Sequence, residues 1–169
     1  GDIKDLDDAK FTYYMTGRKF SNETFKPEKV TEEPIMELKD LTLDGYYQNI
    51  SFDLKGGEIL GITGLLDSGR TELALSMFGI KPATSGKILR NGQEVTIKTP
   101  QDAMAQQIGF VPEDRLSEGL FLTQSIADNI VISKIDDLKA KNGTFDQKLR
   151  QEVVDKWVKD LAIATPDAN

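Results

Sequence analysis

Neither cysteine nor histidine occurs among the 169 residues. Their absence excludes disulfide staples, the usual zinc ligands and the commonest general base. Serine-histidine and cysteine-histidine hydrolysis are therefore ruled out within this chain, and any chemistry rests on carboxylates, Arg and Lys, hydroxyls and backbone amides. Long apolar runs are missing too: no window approaches the ~20 apolar residues of a membrane helix. The opening stretch GDIKDLDDAK does not show the basic-then-apolar layout of a secretory signal. Positive charge is outnumbered, 21 Lys and Arg against 28 Asp and Glu for a net charge of -7. That balance disfavours nucleic acid as a partner, because a broad surface would repel phosphates, but it leaves room for a local anion site.

What is present is an ordinary globular composition, 38% hydrophobic and 29% charged, which predicts a folded, water-soluble chain with one core. Residues 1–25 carry an aromatic run, Phe11-Thr12-Tyr13-Tyr14-Met15, that suits a short helix ending at Gly17. Residues 26–34 hold two prolines and almost no apolar side chains, and read as an extended linker at a domain boundary. From Ile35 to Leu43 and from Ile50 to Leu54, alternating apolar positions predict antiparallel strands joined around Gly45. After the Gly56-Gly57 turn, the nearly all-apolar Glu58-Ile59-Leu60-Gly61-Ile62-Thr63 predicts a central parallel strand, with Ile108-Gly109-Phe110-Val111 as a second.

Between these, Thr71 to Phe78 predicts a helix, and Asn91-Gly92 a hairpin. Thr99-Pro100-Gln101-Asp102 supplies an N-cap, a proline at N1 and an acid at N3 for a helix reaching about Gln107. Ser125 to Ile132 reads as a further capped helix, with helix and loop preferred over strand for Ile130 to Asp137. Thr144-Phe145-Asp146-Gln147 opens a longer helix on which Phe145, Leu149, Val153, Trp157 and Leu161 predict an apolar stripe.

One segment carries chemistry. Gly64-Leu65-Leu66-Asp67-Ser68-Gly69-Arg70-Thr71 has the spacing G-x-x-x-x-G-[basic]-T between an apolar run and a helix. A loop of this kind turns successive backbone N–H groups around a phosphate, and the helix behind it adds its unpaired amides and positive end. The Thr71 hydroxyl would stand where Mg²⁺ is held. Arg70 occupies the usual lysine place with a wider, planar group, and Asp67 adds a negative charge. The bare pattern is open between a phosphate loop and a plain strand-turn-helix connection with capping glycines.

With its flanks the loop becomes specific. Gly56 to Leu65, Ser68-Gly69-Arg70-Thr71-Glu72-Leu73, Thr84-Ser85-Gly86 with the Asn91-Gly92 hairpin, Thr99-Pro100-Gln101-Asp102-Ala103, Ile108-Gly109-Phe110-Val111-Pro112-Glu113-Asp114-Arg115 and Glu118-Gly119-Leu120 together resemble one family. They are similar to the second ATPase half of the fused, two-ATPase subunits of ribose- and galactose-type ABC importers, over residues 35–165. The resemblance implies an α/β fold: part of the P-loop ABC ATPase domain, with an antiparallel β subdomain and the beginning of a helical subdomain at 124–163. It implies that residues 1–25 are the tail of a preceding ATPase half, 26–34 a linker, and 35–169 a domain truncated before its leucine-serine-glycine-glycine signature and Walker B strand.

The same resemblance implies ATP and Mg²⁺ as ligands. Gly64, Leu65, Leu66, Asp67, Ser68, Gly69, Arg70, Thr71 and Glu72 would hold the nucleotide. An aromatic platform near the first hairpin, Tyr46 or Tyr47, would contact adenine, unless both are plain turn tyrosines. Thr71 and Glu113 would meet the metal, with Glu113 open between that role and a surface loop acid. Implied partners are the first ATPase half of the same chain, transmembrane permease subunits and, indirectly, a sugar-binding protein, at the cytoplasmic face of the membrane. With no catalytic residue assigned in this stretch, weak Mg-nucleotide binding and essentially no turnover are expected. A non-catalytic interaction module that keeps the fold and a contact loop at 112–120 is the alternative, whereas a GTPase or kinase would need acceptor motifs that the Asn91-Gly92 hairpin does not supply.

Overall fold

The alternation after the prolines folds as a sheet. In the computed structural model, which describes residues 7–17, 29–139 and 143–168, β1 (Pro34–Leu43) pairs antiparallel with β2 (Tyr47–Lys55). On its other side β1 pairs antiparallel with β3 (Ser85–Arg90), which pairs with β4 (Gln93–Val95) through the Asn91-Gly92 turn. The sheet order is β2-β1-β3-β4. Positive φ at both Asn91 (50°) and Gly92 (76°) is the backbone of the tight hairpin turn whose twist matches right-twisted strands.

Strand β1 changes phase halfway. Met36 and Leu38 point into the core, then Leu41 and Leu43, so one residue is inserted between the two alternations. The insertion is a bulge at Asp40, whose φ is 49°. Its amide N–H donates to Ser51 Oγ at 2.8 Å, and the Ser51 hydroxyl donates to Asp40 Oδ1 at 3.2 Å. The bulge presses on β3 at Gly86 (φ 93°), where a Cβ would lie 2.4 Å from the Asp40 carbonyl oxygen and 2.5 Å from the Leu41 Cα. Only glycine fits that approach.

On this sheet lies α2 (Arg70–Met77), which contributes Leu73 to a core shared with Met36, Leu38, Tyr47, Ile88, Ile97 and Ala103. Burying a leucine as fully as Leu38 contributes about 1.5–3 kcal/mol. Helix α3 (Pro100–Ala105) starts with the expected capping box, Thr99 and Asp102 exchanging hydrogen bonds, but stops at Ala105, with Gln107 at φ 60°. Arg90 ties β3 to this region, donating from Nε to the Gln106 carbonyl at 3.1 Å and from Nη1 to the Ile35 carbonyl at 2.6 Å. Helix α1 (Asp8–Thr16) is capped by Asp7 and ends at Gly17 as expected, with none of its residues buried. Of the linker, residues 26–28 fall outside the described residues. Thr31 is hydrogen-bonded both ways to Gly56, at 3.0 and 2.8 Å.

The two central parallel strands are not formed. Residues 58–63 and 108–112 lie outside every strand. Ile59 is 75% exposed and Val111 87%. An apolar run becomes a buried strand only when neighbours accept and donate its ladder bonds on both sides. No segment among the described residues pairs with either run.

The chain divides into two compact units, Gly1–Gly109 and Phe110–Asn169. In the second, α4 (Ile126–Val131) is capped by Ser125 and continues into a 3₁₀ turn, Ile132–Lys134, so the helix-and-loop reading of residues 130–137 holds. Helix α5 (Gln147–Asp160) begins one turn-residue pair later than read. Its N-cap is Asp146, whose side chain accepts from the Leu149 amide at 3.0 Å, rather than Thr144.

The expected stripe on α5 is also corrected. Phe145 precedes the helix, Leu149 and Leu161 are 37% and 64% exposed, and the residue packed to 0% exposure is Val154. At 3.6 residues per turn, a strict spacing of four walks around the axis by about 40° at each step. Such a row cannot stay on one face. Val154 instead packs with Ala127, Val131 and Leu138, flanked by Val153 and Val158.

One turn before Val154, the Arg150 guanidinium donates to Asp128 Oδ1 at 2.9 Å. The Ser125 hydroxyl donates to the other Asp128 oxygen at 2.8 Å. The Ser125 hydrogen bond first, and Arg150 second, hold the Asp128 carboxyl below its ordinary 3.8. A carboxylate depressed on folding contributes stability that is complete above its unfolded value and is lost as pH falls through the lower folded one. The helical signal of this unit is therefore expected to hold down to about pH 4 and to decline below it. Asp128→Asn should flatten that decline, as followed by ellipticity during acid titration. An identical acid limb in the variant would assign the loss to other carboxylates.

Candidate functional site

Residues 64–72 form a closed turn with a helix directly behind it. The Ser68 amide donates to the Leu65 carbonyl at 3.2 Å, and Asp67 sits at φ 60°. Leu65 and Leu66 are 84% and 87% exposed. A Cβ built on Gly64 would come 2.5 Å from Ser68 Oγ and 3.2 Å from Arg70 Cδ. The side chains of Ser68 and Arg70 therefore fold back to the first glycine.

Gly69 is the pivot. It is the buried residue of an otherwise exposed loop and the N-cap of α2, at φ 83°. A Cβ there would lie 2.6 Å from the Tyr46 carbonyl oxygen. That absence of a side chain lets the loop lie against the β1–β2 turn. The first bond of α2 runs from the Leu73 amide to the Gly69 carbonyl at 2.8 Å. The preceding N–H groups, through Thr71 and Glu72, therefore have no intrahelical acceptor. No side chain caps this end of the helix.

Four amides without an intrahelical acceptor stand at the positive end of a helix of eight residues, the kind of group to which an anion is attracted. Arg70 stands at the first helical position, and among the described residues it forms no ion pair. Asp67 and Glu72 add two negative charges near the same amides, which limits affinity for a bare anion and favours one accompanied by a cation.

The two adenine candidates separate. Tyr47 is 8% exposed and belongs to the sheet core. Burial raises its phenol pKa, partly offset by the nearby Ser76 hydroxyl, yet the two groups make no hydrogen bond of ordinary geometry. It offers no open ring face. Tyr46 is 47% exposed, at the turn that Gly69 touches, and the Lys81 ammonium lies 3.3 Å from its ring centroid. Lys81 carries no motif; no pattern in the sequence singles it out.

The metal candidates are both exposed, Thr71 in the first turn of α2 and Glu113 in the second unit. Among the described residues no three acidic side chains converge as a metal site. Next to Glu113, Asp114 closes the loop, accepting from the amides of Leu116 at 3.0 Å and Ser117 at 3.2 Å. Hydrogen bonding from Ser117, side chain first, holds its carboxyl below the ordinary value.

A closed glycine loop ahead of a helix with unpaired amides, beside an antiparallel sheet, is the arrangement of an ATP-binding domain. The ABC transporter family model matches residues 47–167, and the chain belongs to that family. It is 38% identical over 163 residues to the ribose import ATP-binding protein RbsA of Bacillus licheniformis, covering 96% of this chain and 33% of the relative. To RbsA of Lacticaseibacillus paracasei it is 40% identical over 162 residues, 95% of this chain and 32% of the relative. The chain thus spans about a third of the length of these curated relatives. Among solved structures, cbiO1 from Clostridium perfringens, part of the ABC transporter complex cbiONQ, shares the fold. The TM-score is 0.59 at 22% identity, covering 78% of this chain and 52% of that one. The fold is therefore α/β, a partial ABC ATPase domain with an antiparallel sheet unit and a helical unit.

Proposed function

We propose that residues 64–72 hold the phosphates of ATP, and that the chain is part of the ATP-binding subunit of a simple-sugar importer. The observation that carries this reading is the set of unpaired amides at the start of α2, presented by a loop that Gly69 holds against the Tyr46 turn. Arg70 supplies the positive charge over the phosphates. Thr71 is the oxygen donor for Mg²⁺, an ion that takes one or two protein ligands beside substrate phosphates. When bound, Mg²⁺ would supply neutralising charge beside the acids Asp67 and Glu72. Tyr46 offers the ring face for adenine.

In the whole protein, residues 1–25 belong to a preceding ATPase half, 26–34 to a linker and 35–169 to this nucleotide-binding domain. Its partners are that first half, transmembrane permease subunits and, through them, a sugar-binding protein, at the cytoplasmic face of the membrane.

Titration of the chain with a fluorescent ATP analogue, with and without Mg²⁺, tests the reading. Saturable binding that unlabelled ATP competes away is expected, strengthened by Mg²⁺. Arg70→Ala should weaken it roughly tenfold, the value of one hydrogen bond to a charged group. A flat titration at millimolar ligand would leave the non-catalytic interaction module as the better account.

A further inference from the structure

The Lys81–Tyr46 contact stands beside the phosphate loop but belongs to no motif of it. Tyr46 is joined to the loop by its own backbone, since Gly69 packs on its carbonyl oxygen. Its ring, 47% exposed, would otherwise rotate freely at a turn. The Lys81 ammonium, 3.3 Å from the centroid, lies over one face of that ring, and the residue remains 47% exposed.

Lys81 is itself anchored to α2. Its amide donates to the Leu75 carbonyl at 3.3 Å, and its carbonyl accepts from the Ser76 hydroxyl at 2.7 Å. Ser76 is 1% exposed, so this attachment is part of the core. The helix whose first turn presents the phosphate-binding amides therefore also holds, at its far end, the lysine that grips the aromatic ring. A cation on one face draws electron density from the ring and fixes its plane. Both effects favour an electron-rich heterocycle on the opposite face.

We infer that Lys81 is a base-positioning residue: by lying on one face of Tyr46 it presents the other to the purine of a nucleotide whose phosphates occupy residues 64–72. The inference rests on the nucleotide reading of that loop. It assigns Lys81 to the base and not to the phosphates, a distinction that can be measured.

The experiment is isothermal titration of the chain with Mg-ATP and, separately, with inorganic tripolyphosphate, which has the phosphates and no base. Lys81→Met should weaken Mg-ATP binding roughly three- to fivefold, the scale of one exposed cation–π contact, and leave tripolyphosphate unchanged. Lys81→Arg should restore ATP affinity, because a guanidinium stacks on the same ring. In a Tyr46→Leu background, Lys81→Met should have no further effect. Equal losses for ATP and tripolyphosphate would make Lys81 a phosphate or scaffold residue and overturn the inference. Tighter ATP binding in Lys81→Met would overturn it too, by showing that the lysine blocks the ring. Unchanged ATP affinity, with tripolyphosphate still bound, would overturn it while leaving the nucleotide reading intact, whereas a chain that binds neither ligand overturns both. Lys81→Arg and Tyr46→Leu keep the question answerable if Lys81→Met melts early.

Discussion

The Gly69→Val chain is expected to lose at least about 100-fold in affinity for Mg-ATP, since two hydrogen bonds to a charged group, each about 1.5–3 kcal/mol, are displaced together. The reason lies in two constraints that meet at one residue. At φ 83° a branched side chain is strained, at a cost on the order of 1–3 kcal/mol. Its Cβ would also stand 2.6 Å from the Tyr46 carbonyl oxygen, a backbone atom that cannot swing aside as a side chain does. The loop must back away from the turn, and the amides at the head of α2 move with it. Titration calorimetry and a thermal melt on the same protein separate the two costs. Near-native ATP affinity in a folded variant would show that those amides do not hold the phosphates. The substitution differs from Arg70→Ala in kind: one removes a charge, the other the framework that aims the amides.

The local code of the sequence was legible at most places where a bond closes within a few residues, the cap of α5 at Asp146 rather than Thr144 being an exception. Thr99 and Asp102, Ser125, the Asn91-Gly92 turn and the strands on either side of Gly45 all formed as read, because capping and tight-turn geometry depend on near neighbours. The runs at 58–63 and 108–112 have strand-like sequences but no strand. Their apolar pattern specifies burial between partners, and no described segment supplies those partners. A pattern states what a segment requires, and only pairing provides it.

The candidate site divides along the same line. The glycine loop was readable because its spacing is itself the geometry of a turn and a helix start. Which tyrosine is open was not readable. That choice follows from the β1–β2 pairing, in which Leu43 faces Tyr47 across a register already shifted by the bulge at Asp40. Lys81 was invisible for a plainer reason: it reaches Tyr46 across the whole of the loop and α2, and a contact of that span leaves no periodic trace.

The second large effect belongs to the helical unit, where the sequence chose the wrong face. Val154→Asp is expected to unfold that unit. Val154 is 0% exposed in a cluster of four fully buried residues, the others being Ala127, Val131 and Leu138. An unpaired charge placed there costs about 3–5 kcal/mol. The substitution also removes the roughly 1.5–3 kcal/mol contributed by burying Val154 itself, and the combined loss is on the order of the whole stability of a unit of this size. Leu161→Asp makes the contrast. It lies on the stripe that a spacing of four suggests, yet it is 64% exposed, and its replacement should change stability by no more than about 0.5 kcal/mol. Hydrogen exchange over α4 and α5, with ellipticity at the helix minimum, distinguishes the pair. Protection should vanish in the first variant and persist in the second. Equal loss in both would place the packing face on the sequence stripe, and equal persistence would mean that Val154 does not bind α5 to α4.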